Sequence, residues 1–297
     1  MNTELACLPC FFRQVERTLS FAGINGDQRL RIIRAAGSII EAAQLNQAPA
    51  RISTLLHRLI REDSGVDPYR QIKKDYNRIA LDKLGTVRAM VEAAPASACG
   101  DRLLEGGVRA AIAGNIIDFG IYDTVDLDRS LDESFRIPLL PAAFTDFSRT
   151  LSVAERILYL CDNAGEIVFD RFLIEVLRAR GKHVTAVVKG TPVINDATAE
   201  DAEDAKLGDS ASVVIDNGND GIGTLLESCS ERFWEAYRAA DLIISKGQAN
   251  YETLAPVQDE RIYYLFKVKC PVVASSLGRS EGDIVLMDNR KVSPAAV

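Results

Sequence analysis

Ile157-Leu158-Tyr159-Leu160-Cys161-Asp162-Asn163-Ala164-Gly165-Glu166 is the stretch that decides the fold. The apolar run predicts a short strand buried on both faces, and the small polar residues behind it predict a turn. From Glu166 to Arg178 apolar residues recur at helical spacing, and Gly181 closes the helix. Strand, turn and amphipathic helix form the first half of a βαβ unit. The alternation continues with a strand at His183–Val188, an acidic helix at Ala199–Lys206 and a strand at Ser212–Ile215. A helix at Glu231–Ala239 and strands at Leu242–Ser245, Tyr263–Val268 and Val272–Ala274 follow. Strands alternating with helices predict an α/β fold with a mostly parallel sheet flanked by helices on both faces, a Rossmann-like core.

Upstream the pattern changes. Phe11, Phe12, Val15, Leu19 and Phe21 recur at helical spacing, as do Leu30, Ile33, Ala36 and Ile40, with Asn25-Gly26-Asp27 as a turn between them. Ser53–Ile60 predicts a helix capped by Ser53, Asp67-Pro68 opens a charged helix running toward Leu84, and Leu103–Ile117 predicts an Ala/Gly-rich helix. Thr124–Thr150 is less regular and carries Pro138 and Pro141. Residues 1–150 are therefore expected to form an all-helical N-terminal part, and residues 151–297 the α/β core. Residues from Ser293 to Val297 are expected to fray.

In doubly wound sheets ligands bind outside the carboxyl ends of the strands. The first strand leads into Asp162-Asn163-Ala164-Gly165-Glu166, and the second into Lys189-Gly190 and then Asn195-Asp196-Ala197-Thr198. Asp216-Asn217-Gly218 follows the third strand, and Lys246-Gly247-Gln248-Ala249-Asn250 the fourth. Asp and Asn oxygens suit hard divalent cations. Lysines and helix N-termini suit phosphate. Taken singly, each loop reads equally well as a helix cap or a solvated turn. Their convergence at strand ends is what points to a site.

Cys7-Leu8-Pro9-Cys10 has the spacing of a metal or redox pair, but no second pair exists to complete a four-ligand zinc site. A second metal site recruiting Cys99 or His57, a redox pair, and plain packing thiols all stay open for Cys7 and Cys10. Two histidines argue against imidazole chemistry as the main engine. The net charge of −7 argues against non-specific nucleic-acid binding. No apolar run approaches bilayer length and no signal peptide is recognisable, so a cytoplasmic protein without membrane association is expected. The oligomeric state is not legible.

Asp162-Asn163-Ala164-Gly165-Glu166 with Phe169-Asp170, Lys189-Gly190…Asn195-Asp196-Ala197-Thr198, and Ser245-Lys246-Gly247-Gln248-Ala249-Asn250-Tyr251-Glu252 resemble the signature blocks of the damage-control phosphatase family, long called domain of unknown function 89. Cys7-Leu8-Pro9-Cys10…Gln14 and Gly114-Asn115-Ile116-Ile117-Asp118 resemble its microbial branch that carries a CxxC motif. The resemblance spans nearly the whole chain, with Ala249 and Tyr251 departing mildly where glycine and phenylalanine are expected. It implies a hydrolase using one divalent metal ion (Mn, Mg, Co or Ni) on phosphate monoesters of small metabolites, such as sugar phosphates or damaged phosphometabolites. It implies Asp162, Asn163 and Asp196 as metal ligands, Asp162 or Asp196 as the base, and Lys246 with Gly247 at the phosphate. Asn115 and Asp118 would complete the pocket, and Glu166 would organise the metal loop. Two other readings are a non-catalytic protein binding phosphorylated metabolites and an S-adenosylmethionine-dependent carboxyl methyltransferase, although no glycine-rich methyl-donor signature is present.

Overall fold

The computed structural model describes residues 1–93, 101–116, 131, 135–137 and 139–291. Five helices open the chain: α1 (Cys7–Phe21), α2 (Gly26–Glu41), α3 (Pro49–Ser64), α4 (Arg70–Ala93) and α5 (Arg102–Ile116), and α6 (Pro141–Val153) leads into the sheet. The strands are β1 (Arg156–Leu160), β2 (His183–Val188), β3 (Val213–Asp216), β4 (Leu242–Lys246), β5 (Ile262–Lys267) and β6 (Ile284–Asp288). Between them run α7 (Glu166–Ala179), α8 (Ala199–Asp204), α9 (Glu231–Ala239), α10 (Gln248–Leu254) and α11 (Pro271–Leu277).

The strand order is β3-β2-β1-β4-β5-β6, with β1 to β5 parallel and β6 antiparallel to β5. The chain winds outward from β1 to β3, then crosses back to β4 on the other side of β1. The crevice between the carboxyl ends of β1 and β4 is thus the topological switch point, where such sheets bind ligands.

Side chains alternate across the sheet. Ile157, Tyr159 and Cys161 enter a core with Val87 of α4, Val108 of α5, Phe147 of α6 and Phe169 of α7. Leu158 and Leu160 enter a second core with Phe11, Ile32 and Leu56 of α1 to α3 and Phe233 of α9. Burial on both faces explains why β1 reads as an unbroken apolar run. The early helices thus cover both faces of the later sheet.

Several expectations change. Val272–Ala274 lies in α11, not in a strand. Pro271 takes the first helical position and Gly278 ends the helix at φ +61°, and these end signals prevail over the β-branched pair. The sixth strand is Ile284–Asp288, at the edge of the sheet, with Val285 and Leu286 buried on opposite faces. Ser53 lies inside α3, which begins at Pro49 behind Ala48, because proline at the first helical position sets the start. Much of the irregular stretch before Thr150 is α6, again opened by a proline. Asp118, Cys99, Pro138 and 293–297 lie outside the described residues. Among the described residues no helix is long and apolar enough to cross a membrane.

Candidate active site

The loop after β1 is held by three backbone bonds. The Ala164 N–H donates to Asn195 O at 2.9 Å, Ala197 N–H to Asp162 O at 2.8 Å, and Lys189 N–H to Ala197 O at 2.8 Å. They lay the Asn195–Thr198 segment across Asp162–Ala164, so that Asn163 and Asp196 face each other as an isolated bridge. Asp162, Asn163 and Asp196, far apart in the chain, thereby share one pocket.

Asn163 Nδ2 donates to Asp162 Oδ2 at 2.9 Å and approaches Glu166 Oε2 at 3.3 Å. This turns the amide oxygen of Asn163 away from both carboxylates. Asp162 and Asp196 are buried. Burial raises the Asp162 carboxyl well above its ordinary value, and the neighbouring Glu166 and Asp196 charges raise it further. Asp196 is also raised, chiefly by burial, with Lys189 pulling the other way. Its Oδ2 lies 3.4 Å from Lys189 Nζ but is not aligned for a hydrogen bond.

Crowded buried carboxylates with an unsatisfied oxygen define a site short of positive charge. Two carboxylates and an amide oxygen are the hard donors that a divalent cation takes. Among the described residues no group of three or more His, Cys, Asp or Glu side chains has a metal-holding arrangement; Asp162 and Asp196 could hold a cation only in a mixed set with an amide such as that of Asn163.

Gly247 follows β4 at φ +79°, where a Cβ would lie 1.9 Å from Asp162 Oδ2. Glycine is required there on both counts. Asn250 stitches the β1 and β4 loops together, donating from Nδ2 to Cys161 O at 3.3 Å and Lys246 O at 2.8 Å.

Lys246 does not stand at the opening. Its Nζ is fully buried and donates to Glu166 Oε1 at 2.5 Å, Asp170 Oδ1 at 2.6 Å and Ala111 O at 2.8 Å. These bonds use all three protons of the ammonium. Burial alone would lower its pKa, but Asp170 and Glu166 outweigh burial and hold it above the usual lysine value. Burial raises Asp170 to about 6 against the pull of Lys246. In this arrangement Lys246 fixes Glu166, which in turn meets Asn163; it has no proton left for a phosphate. Asn115 lies on α5 near its end, with only its backbone described.

Cys7 opens α1 and is buried in the second core, and burial raises its thiol. Cys10 is half-buried and accepts from Gln14 Nε2 at 3.6 Å. His57 is buried with its ring against Tyr69.

Three supporting groups carry no site role in the sequence reading, although Asp170 stands in one of its quoted blocks. Asp170 is one helical turn from Glu166 on the same face, a signal legible as two acids inside an apolar helix. Asn77 of α4 accepts from the Gly165 N–H at 2.7 Å and donates to Asp201 Oδ1 at 3.1 Å. Lys73 donates to Asp201 Oδ2 at 3.1 Å. Nothing in the sequence of α4 pairs it with loops 88 to 128 positions away.

The fold and site define a doubly wound α/β protein with a buried carboxylate–amide pocket at its switch point. Residues 3–285 match the family model described as the damage-control phosphatase ARMT1-like domain. An uncharacterized protein of Methanocaldococcus jannaschii is 40% identical over 295 residues, covering 95% of this chain and 93% of that protein. A damage-control phosphatase of Pyrococcus horikoshii is 33% identical over 297 residues, covering 98% and 99%. The crystal structure of a DUF89 family protein from Pyrococcus horikoshii superposes with a TM-score of 0.86 at 32% identity, covering 97% of this chain and 99% of that one. The chain belongs to the damage-control phosphatase family.

Proposed function

We propose that the protein is a metal-dependent phosphatase hydrolysing phosphate monoesters of small phosphorylated metabolites, sugar phosphates or damaged phosphometabolites among them. The observation that carries this reading is the pocket itself: Asp162 and Asp196 buried together beside the Asn163 amide, with Asp196 Oδ2 lacking an aligned partner.

Asp162, Asn163 and Asp196 would hold one divalent cation, Mn²⁺, Mg²⁺, Co²⁺ or Ni²⁺, through their oxygens. Such a cation neutralises phosphoryl oxygens and makes water a better nucleophile at neutral pH. Asp196 Oδ2, which has no hydrogen-bond partner among the described residues, would accept the proton of the attacking water. Glu166, held by Lys246, accepts from Asn163 Nδ2 and so would leave the amide oxygen available to a cation. The buried walls exclude bulk water and strengthen each of these interactions.

The test is phosphate release from a panel of sugar phosphates and nucleotides by metal-stripped protein, with each cation restored in turn. Release is expected only with metal, and is expected to vanish in a folded Asp162→Ala variant. Full metal-dependent release by that variant would sink the assignment.

A further inference from the structure

A buried ammonium is stable only where acceptors and a counter-charge meet it. Lys246 meets three acceptors, Glu166, Asp170 and Ala111 O. Lys189, the residue that follows β2, is also buried, with one hydrogen bond and one ion pair among the described residues. Its Nζ donates to Gly223 O, and the carboxylate it pairs with is Asp196, whose Oδ2 stands 3.4 Å away. That oxygen is buried and has no hydrogen-bond partner. The lysine therefore faces Asp196 as a fixed charge and leaves the lone pairs of Oδ2 open.

Both ends of this contact are anchored. The main chain of Lys189 donates to Ala197 O at 2.8 Å and pairs with Thr198 as a parallel bridge, so the lysine and Asp196 are held in register by their own backbones. At the far end of the side chain, Gly223 stands at φ +71°, where a Cβ would run into Ala249 O of α10. Thr224 beside it donates from its N–H to Thr253 Oγ1 at 3.0 Å and from Oγ1 to Asn250 Oδ1 at 2.7 Å. Asn250 in turn donates to Cys161 O and Lys246 O, next to Asp162 and Gly247. The ammonium beside Asp196 is thus tied, through the Gly223 turn, to the loops that carry Asp162 and Gly247.

We propose that Lys189 is the positioning residue for the general base of this site: from its anchor on the Gly223 turn it steers the Asp196 carboxylate by charge, holding Oδ2 toward the attacking water, and touches neither water nor substrate itself. The inference rests on the phosphatase reading and on Asp196 as acceptor of the water proton. An aligned hydrogen bond from Lys189 would occupy the lone pair that takes up that proton; the 3.4 Å contact orients the carboxylate and leaves it free. The main chain keeps its course without the lysine side chain, through Asp196 N–H to Val193 O at 3.1 Å and Ala197 N–H to Asp162 O at 2.8 Å. The charge is needed for the aim of the carboxylate and not for the placing of the loop.

The test is steady-state hydrolysis of p-nitrophenyl phosphate by the Mn²⁺-loaded full-length protein, with Mn²⁺ binding measured by calorimetry, for wild type, Lys189→Met and Lys189→Gln. Methionine loses both the charge and the donor. Glutamine keeps a donor for Gly223 O and so separates the tether from the charge. Both variants are expected to lose kcat on the order of a hundredfold, as for a base misplaced by about 1 Å, with KM little changed and Mn²⁺ bound at least as tightly as by wild type. Should Lys189→Met fail to fold, Lys189→Gln decides alone. Wild-type kcat in a folded variant would overturn the inference and leave the phosphatase reading standing. So would Mn²⁺ binding that falls in step with kcat, because Lys189 would then be a support of the loop. A wild type that binds Mn²⁺ and releases phosphate from no monoester would sink the phosphatase reading, and the inference with it.

Discussion

Gly247 and Asp162 are packed so closely that a Cβ on the glycine would lie 1.9 Å from the carboxylate Oδ2, with the glycine itself at φ +79°. The turn after β4 and the acid after β1 therefore cannot both keep their places if residue 247 carries a side chain.

Gly247→Ala is expected to displace Asp162 and to cost about 1–3 kcal/mol for the strained backbone alone. Metal-dependent phosphate release should fall by at least about a hundredfold, since a 1 Å misplacement costs that much. Thermal melting and a Mn²⁺ titration check both effects. A variant with wild-type metal affinity would mean that Asp162 is not held by this packing.

Lys246→Met removes the ammonium that bonds both Glu166 and Asp170. Two buried carboxylates left without their cation should destabilise the fold by about 3–5 kcal/mol. Urea denaturation measures it. Asp170→Asn in the Lys246→Met background should recover part of the loss, because the amide needs no counter-charge. No recovery would show that the carboxylates are not the source of the cost.

Asp220 ties α3 to the segment after β3, accepting from Arg58 Nη2 at 2.6 Å and from Arg61 Nη2 at 2.5 Å. The hydrogen bond from Arg58 leads, against burial, in lowering its carboxyl from 3.8 to about 2. A depressed carboxylate contributes stability that is present above its unfolded value and lost as pH falls through the folded one. The stability difference between wild type and Asp220→Asn should thus be steady near neutrality and shrink from pH 4 toward about 2. Melting curves across that window decide it, and a difference that persists at the lowest pH would rule out the ion pairs as its origin.

Asn77→Ala should free the Gly165 N–H, which donates to Asn77 Oδ1 at 2.7 Å, and leave Asp201 short of one donor. A buried donor left unsatisfied costs about 1–3 kcal/mol. Because Gly165 lies two residues from Asn163, metal affinity should fall in step with stability. Calorimetry with Mn²⁺ on the folded variant tests this, and an unchanged affinity would mean that α4 does not support the loop.

The sheet was legible wherever a strand is buried on both faces, because such strands must be continuously apolar. β6 was passed over although Ile284–Met287 is apolar on both faces, because a four-residue apolar run near the end of the chain does not by itself tell a strand from a buried helical turn. The loops carrying Asp162, Asn163 and Asp196 were visible as polar segments after strands, since a parallel sheet sends every strand's carboxyl end to one edge. The burial of Lys246 was not legible, because a lysine after a strand carries no local sign of the acids that will bury it. Its burial follows from Glu166 and Asp170, which α7 lays over the strand end.

The sequence by itself determined the alternation of strands and helices, and with it the edge at which the polar loops meet, because periodicity and turn chemistry are local properties. The tertiary structure alone decided the strand order that sets β4 beside β1, the pairing of Asn163 with Asp196, and which lysine is spent inside the protein and which is left at its surface. Those depend on groups tens to more than a hundred residues apart, and their partnerships are fixed by packing and desolvation, which no local pattern records.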